Sequence, residues 1–360
     1  MIIIDSNIPL LPNVLTQHDE VLVVPHSEIT NRLLTETGCT ELFVRSTTKV
    51  NETLLQHTNV RFVATATSGT DHIDTTHCTE HNITVTSAAG SNANSVAEYV
   101  VFGILQYCEN INVTPDELTI GIIGFGNVGK LVGYYSHMIG LDVLINDPLL
   151  RQHGLELPEW IDEYCELESL LANADIVTTH VPLTTTGEYP THNLLNWTTL
   201  DEIQESSLVI STSRGSVVQE SALIFHAEEK GLSLITDVWE NEPSFNSKLA
   251  EKSFLATPHV AGHSYDGKLR GSLMMAQTYA EYKNVEVDTS IIQQALQGMS
   301  VSISTFNNYT KLKNNIDTSR NITDDSAKFK SLLQLNVEDK QRAFAEFRRN
   351  YPIRRESIKP

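Results

Sequence analysis

A chain of 360 residues is long enough for two or three domains and for a core that folds without disulfides or a structural metal. Its formal net charge of −20 excludes a surface built chiefly to meet nucleic-acid phosphates. The hydrophobic share of 40% is ordinary for a globular protein, and no apolar run approaches the ~20 residues that span a bilayer. A few local Arg and Lys side chains can still create a field that suits an anionic substrate. Cys39, Cys78, Cys108 and Cys165 are scattered, with no CxxC pair. They read as separate thiols in a reducing cytoplasm, not as a disulfide framework.

The N-terminus, MIIIDSNIPLLPNVL, lacks a basic region and a small-residue cleavage site, and reads as a first strand. Strands are predicted at Ile2–Asp5, Val21–Val24, Leu42–Arg45, Phe62–Thr65 and Thr84–Thr86, with helical patterns between them. Ala93–Gln106 is mostly apolar and long enough for a buried helix. A second series follows, with strands at Thr119–Ile123, Asp142–Asn146, Ile176–His180, Leu208–Ser211 and Leu234–Asp237. Its helices fit Asn127–Ile139, Leu167–Ala172 and Glu220–Lys230. Strands alternating with helices at this spacing make an α/β protein with doubly wound parallel sheets. Residues 284–325 are rich in Asn, Thr and Ser, and the last twenty residues turn basic. So little apolar content is marginal alone, so this end is expected either to pack on a partner subunit or to stay partly disordered.

The strongest local signal is TIGIIGFGNVGK at 119–130. Gly124, Gly126 and Gly129 form G-x-G-x-x-G between a buried strand and a helix that opens with Asn127 and Val128. The first glycine permits the tight turn and the second lets a pyrophosphate approach the backbone. The third lets helix and strand pack closely. Asp147 lies about 20 residues past the loop, in LDVLINDP, where a carboxylate accepts hydrogen bonds from ribose hydroxyls. It would repel a 2′-phosphate, so NAD is expected over NADP, although Arg151 lies near. The plainer reading of Asp147 is a cap before Pro148.

Three further segments stand at strand ends: STSRGSVV (211–218) with Arg214, TDVWENEP (236–243) with Asp237 and Glu242, and TPHVAGHS (257–264) with His259. Oxidising a 2-hydroxy acid needs a cation to hold the carboxylate, and the planar fork of Arg suits it. It needs a base near neutrality, for which His is suited, and a carboxylate to fix that base's tautomer. Arg214, His259 and Glu242 are the right types. Singly, each has a plain alternative: a turn Arg, a segment-ending Glu, a structural His. His77 and His81 in DHIDTTHCTEH (71–81) are four apart, but the chemistry needs no metal, and a solvated helix face is expected there. Trp160, Trp197 and Trp239 read as packing residues.

The order of Gly-rich loop, Arg, Glu and His resembles the D-isomer-specific 2-hydroxyacid dehydrogenase family over at least residues 1–283. The segments DSNIPL (5–10), VRSTTKVNETLL (44–55), TATSGTDHID (65–74), PHVAGHSYDGKLRGS (258–272) and AFAEFRRNYPIRRE (343–356) resemble a branch acting on a phosphorylated sugar acid. The resemblance implies a flavodoxin-like substrate domain (1–93 and 256–283), a Rossmann-type NAD domain (94–255) and a small α+β dimerisation domain (284–360). It implies a cytoplasmic homodimer with NAD as cofactor. Arg214, Glu242 and His259 match the catalytic set, with His259 as proton donor in reduction. Gly124, Gly126, Asn127, Val128, Gly129, Asp147, Val181, Asp237 and Gly262 match cofactor positions, and Ser46, Thr67 and His263 match substrate positions. Three features depart from the pattern: His263 replaces a Tyr, Val181 replaces a Thr, and AAGSNANSVAEYV (88–100) lacks a Pro and a Cys. Arg45, Lys49, Lys268 and Arg270 are candidate phosphate partners whose alternative is ordinary surface charge. Two other readings stay open: a different D-2-hydroxyacid dehydrogenase, such as a phosphoglycerate dehydrogenase, and an NAD-sensing binding protein of the same fold.

Overall fold

A computed structural model describes residues 1–360 except 155, 162 and 299. Contacts divide the chain into two units, 1–92 with 264–299 and 93–263 with 300–360.

The first unit is built on a parallel sheet of five strands: β1 (Ile2–Asp5), β2 (Val21–Val24), β3 (Glu41–Val44), β4 (Phe62–Thr65) and β5 (Thr84–Ser87). Their spatial order is β2-β1-β3-β4-β5. The inner strands β1, β3 and β4 are buried along their whole length, as expected where helices cover both faces. One face packs Ile2, Ile4, Phe43 and Phe62 against Leu269, Met275 and Tyr279 of the helix Tyr265–Lys283. The other packs Ile3, Leu42, Val44 and Val63 against Leu34, Leu54 and Cys78.

The second unit holds seven parallel strands: β6 (Thr119–Ile123), β7 (Asp142–Asn146), β8 (Glu163–Tyr164), β9 (Ile176–Thr179), β10 (Leu208–Ser211), β11 (Ser233–Thr236) and β12 (Leu255–Ala256). Their order, β12-β11-β10-β9-β6-β7-β8, reverses direction between β6 and β9. That reversal is the switch point of a doubly wound sheet, where loops at the carboxyl ends of the strands diverge and leave room for a ligand. The expected helix at Ala93–Gln106 extends to Ile111 and is the most buried helix of the unit.

Strand positions agree with the sequence reading to within about a residue at each end. The edge strands β8 and β12 were not predicted, because two residues carry no periodicity. Arg45, His180 and Asp237, placed inside strands by sequence, lie just past the ends of β3, β9 and β11. Of the three tryptophans, Trp197 is 46% exposed, and its ring meets those of Phe225 and buried His226 at 5.2 and 5.7 Å in tilted geometry.

The C-terminal segment is mostly helical, with helices at Tyr309–Arg320, Ile322–Ser331 and Val337–Arg349. A short parallel pair, β13 (Val301–Ser302) and β14 (Ile358–Lys359), ties its two ends. It packs on its own chain: Ile303, Leu312, Ile316, Ile322 and Ile358 join one core of the second unit, while Phe329 and Phe344 join the other. All four cysteines are free and buried. Burial pushes the Cys39 thiol up to about 12 and the Cys108 thiol up to about 11, so neither is reactive at neutral pH. Among the described residues, no helix is long and apolar enough to cross a membrane.

Phe329 is fully buried among Trp239, Phe245 and Phe344, with ring centroids at 5.4, 4.5 and 5.9 Å. Phe329→Ala is expected to cost about 3–5 kcal/mol of stability, read as a lower urea midpoint at unchanged slope. A loss under about 1 kcal/mol would mean that the C-terminal segment is not part of this core.

Candidate active site

The glycine loop follows β6 at the switch point. Gly124 has φ +91°, and a Cβ there would lie 2.7 Å from Val181 Cγ1 and 2.9 Å from the His180 carbonyl. A Cβ on Gly129 would lie 2.0 Å from the Gly124 carbonyl oxygen, so this glycine is what lets helix and strand meet. Gly126 differs: a Cβ there would meet nothing within 4 Å. Gly126 is also the N-cap of the helix Asn127–Met138 and makes no side-chain cap hydrogen bond there. Open space in front of uncapped donors is the arrangement that a pyrophosphate fills. The Asp147 carboxylate accepts from the Phe125 N–H at 2.9 Å and the Leu150 N–H at 3.0 Å. The capping role is therefore real, and the same carboxylate also braces the glycine loop. It keeps lone pairs for a ribose hydroxyl. Arg151 pairs with Glu166 and stands 4.9 Å over the Tyr164 ring, so its charge is matched within the protein.

The catalytic candidates come from the ends of β10, β11 and β12. The His259 Nδ1 lies 2.9 and 2.8 Å from the two oxygens of Glu242. Burial pushes the Glu242 carboxyl up, but His259, then Arg348 and the Trp239 N–H, outweigh it and hold the group below the usual carboxylate range. Glu242 is thus ionised and accepts only, so Nδ1 of His259 must donate. The neutral imidazole then carries its lone pair on Nε2.

His259 has φ +57°, a left-handed conformation that is uncommon for a residue other than glycine. Asp237 accounts for it. Its backbone carbonyl accepts the His259 N–H at 2.6 Å. Its carboxylate accepts from the Thr257 hydroxyl at 2.6 Å and from the Val260 and Ala261 N–H groups at 2.7 and 3.0 Å. Asp237 is 1% exposed; burial raises its pKa, and nearby His259 and these hydrogen bonds oppose that rise. Sequence reasoning found Asp237 but missed this bracing role, because burial is not visible in a short motif.

Arg214 follows β10 and is half-buried, with Nη1 donating to the Ser213 carbonyl at 2.9 Å. A Cβ on the next residue, Gly215, would lie 2.0 Å from the Trp239 carbonyl, so the two loops touch backbone to backbone. A reciprocal pair locks them: Glu220 N–H donates to Glu240 at 2.9 Å, and Glu240 N–H donates to Glu220 at 3.0 Å. Trp239 Nε1 donates to the Thr257 carbonyl at 3.0 Å and joins the third loop. Sequence reasoning missed Trp239, Glu220 and Glu240 in this role. Nothing in the local sequence signals pairings twenty residues apart.

Gly262 and His263 end the His259 loop; the His263 ring meets Tyr351 edge-on at 5.4 Å. Ser46 and Thr67 belong to the other unit, just past β3 and β4. Ser46 is exposed, while the Thr67 hydroxyl lies 2.8 Å from that of Thr65 and donates to the Gly69 carbonyl at 3.2 Å. Burial and neighbouring Arg45 push the Lys268 ammonium down from its usual range. The rings of His77 and His81 stack at 4.1 Å on an exposed helix. Among the described residues, no cluster of three His, Cys, Asp or Glu side chains could hold a metal.

Residues 104–261 match the family model for the D-isomer specific 2-hydroxyacid dehydrogenase NAD binding domain. Along the whole chain, the protein is 34% identical to an erythronate-4-phosphate dehydrogenase of Proteus mirabilis, over 99% of this chain and 92% of that one. It is 35% identical to one of Marinobacter nauticus, with the same two coverages. In fold it is similar to D-lactate dehydrogenase from Aquifex aeolicus complexed with NAD and lactic acid, at TM-score 0.63 and 22% identity. That likeness covers 79% of this chain and 96% of that one. NAD-bound 3-phosphoglycerate dehydrogenase from Entamoeba histolytica gives TM-score 0.66 and 22% identity, covering 79% of this chain and 95% of that one.

Gly126→Ala fills open space and leaves the packing intact, so the thermal midpoint should stay near that of the parent. NADH affinity, followed by fluorescence titration, should fall roughly tenfold or more, about 1.4 kcal/mol. Unchanged affinity would remove the pyrophosphate from this loop.

Proposed function

The chain belongs to the D-isomer specific 2-hydroxyacid dehydrogenase family and is an NAD-dependent oxidoreductase, and from that premise we propose that it oxidises 4-phospho-D-erythronate at C2. The product is (R)-3-hydroxy-2-oxo-4-phosphooxybutanoate, a step toward pyridoxal 5′-phosphate. The observation that carries the substrate choice is the end-to-end likeness to erythronate-4-phosphate dehydrogenases at 34% identity. The Arg45 and Lys268 cations support it. Lys268 sits in the first turn of the 19-residue helix Tyr265–Lys283, whose N-terminus adds positive potential suited to a phosphate.

Bound NAD supplies the hydride acceptor. Arg214 holds the substrate carboxylate and polarises the oxygen at C2 as the carbonyl forms. The neutral His259 takes the hydroxyl proton at Nε2, and Glu242 stabilises the resulting imidazolium through Nδ1. In the reverse direction the same Nε2 returns the proton. Asp147, Gly124, Gly126, Gly129, Asn127 and Val128 would hold the cofactor, with Val181, Asp237 and Gly262 beside it. Ser46, Thr67 and His263 contact the substrate. His263 would donate a hydrogen bond in place of a tyrosine hydroxyl. Residues 1–93 with 256–283 form the substrate domain, 94–255 the NAD domain and 284–360 a dimerisation domain. Val337 and Ile353, 64% and 78% exposed, are apolar surface that a second copy would cover. The dimer works in the cytoplasm.

Purified protein with NAD, 4-phospho-D-erythronate and a 2-oxo acid acceptor should turn over, and light scattering should give twice the chain mass. Turnover of 3-phosphoglycerate but not 4-phosphoerythronate would move the substrate within the family. Arg214→Ala should lower kcat/KM by roughly 10³-fold or more, and an unchanged rate would remove Arg214 from the reaction.

A further inference from the structure

The C-terminal segment places a cation on the catalytic carboxylate. Arg348, in the last turn of the helix Val337–Arg349, directs Nη1 to Glu242 Oε2 at 3.4 Å. Its guanidinium carbon stands 6.0 Å over the Phe344 ring, and Phe344 is itself buried in the core beneath the site. Two further contacts join the same segment to the His259 loop. Arg320, 1% exposed, donates from Nη2 to the Ala261 carbonyl at 2.9 Å and pairs with buried Glu98 at 3.2 Å. Tyr351 packs its ring on His263 and donates its hydroxyl to Asp325 at 2.7 Å.

We infer that Arg348 is a positioning residue that tunes the His259–Glu242 pair, which makes the C-terminal segment part of the catalytic apparatus. This rests on the proton-transfer role given to that pair, and not on the identity of the hydroxy acid. Among the described residues, the charged groups that bear on Glu242 include His259 from the loop after β12, Arg348 from the C-terminal helix and Glu220, which in turn faces Glu240. Asp237 faces His259 from the end of β11. Arg348 and His259 share one carboxylate, so the fixed cation opposes a second positive charge on the imidazole. Without Arg348, Glu242 gives its full field to His259, and the imidazole protonates at higher pH. Oxidation requires the neutral base, so the acid limb of kcat/KM moves to higher pH.

The test is the pH profile of oxidation by the full-length protein, using whichever 2-hydroxy acid the parent turns over. R348Q should move the acid limb upward by roughly half a pH unit or more, the shift expected of a unit charge at this range in a partly solvated site. R348K keeps the charge, and its limb should stay near that of the parent. A role confined to packing would lower Tm or kcat and leave the limb in place. An R348Q enzyme with unmoved limb, or an R348K enzyme displaced as far as R348Q, overturns the inference. If no hydroxy acid is turned over, the substrate reading fails separately. The His259 imidazole titration, identified by NMR through its loss in H259N, then gives the same upward shift or refutes it. If R348Q does not fold, R348M replaces it in the same measurement.

Discussion

The site depends on one buried carboxylate. A histidine at φ +57° sits in a region that costs a side-chain-bearing residue about 1–2 kcal/mol, so outside restraint must hold it there. Asp237 provides that restraint. Its backbone oxygen fixes His259 N–H, and its side chain gathers the hydroxyl of Thr257 and the next two N–H groups of the loop. A carboxylate this deeply buried would be costly alone; here donors from one short loop satisfy it. The restraint turns the loop so that Nδ1 meets both oxygens of Glu242, which makes Nε2 the acceptor nitrogen of the neutral ring.

The parallel sheet sets the positions from which these groups converge. Glycine loop, Arg214, Glu242 and His259 all follow carboxyl ends of strands in the second unit, and the glycine loop sits where the strand order reverses. The loops then lock to one another: Gly215 lies on the Trp239 backbone, Glu220 and Glu240 exchange hydrogen bonds, and the Trp239 indole reaches Thr257. These contacts preorganise the charged groups, and electrostatic catalysis requires groups that do not reorganise during the reaction. The C-terminal segment adds to this frame, with Arg320 bonded to Ala261 and Arg348 to Glu242.

What was legible in the sequence was local. G-x-G-x-x-G could be read because each glycine answers a steric demand within a few residues, and the strands because buried parallel strands are continuous apolar runs. Arg214, Glu242 and His259 could be read as chemical types at strand ends, but their contacts could not, since Glu242 and His259 are seventeen residues apart. The second job of Asp147, bracing Phe125, and the loop-bracing role of Asp237 depend on burial and register. The C-terminal helices were obscured by sparse apolar positions: Leu312 and Ile316, four apart, and lone Phe329 and Phe344 carry the packing amid polar residues. Arg348 looked like one of several tail charges. Only the tertiary fold brings it to Glu242.

The central claim is that His259 and Glu242 act as one unit. A double-mutant cycle in kcat/KM with H259N, E242Q and the double variant tests it most directly. Groups that act together do not lose activity additively, so the account predicts that E242Q costs little once His259 is gone. Full additivity, with E242Q as damaging in the H259N background as in the parent, would contradict it.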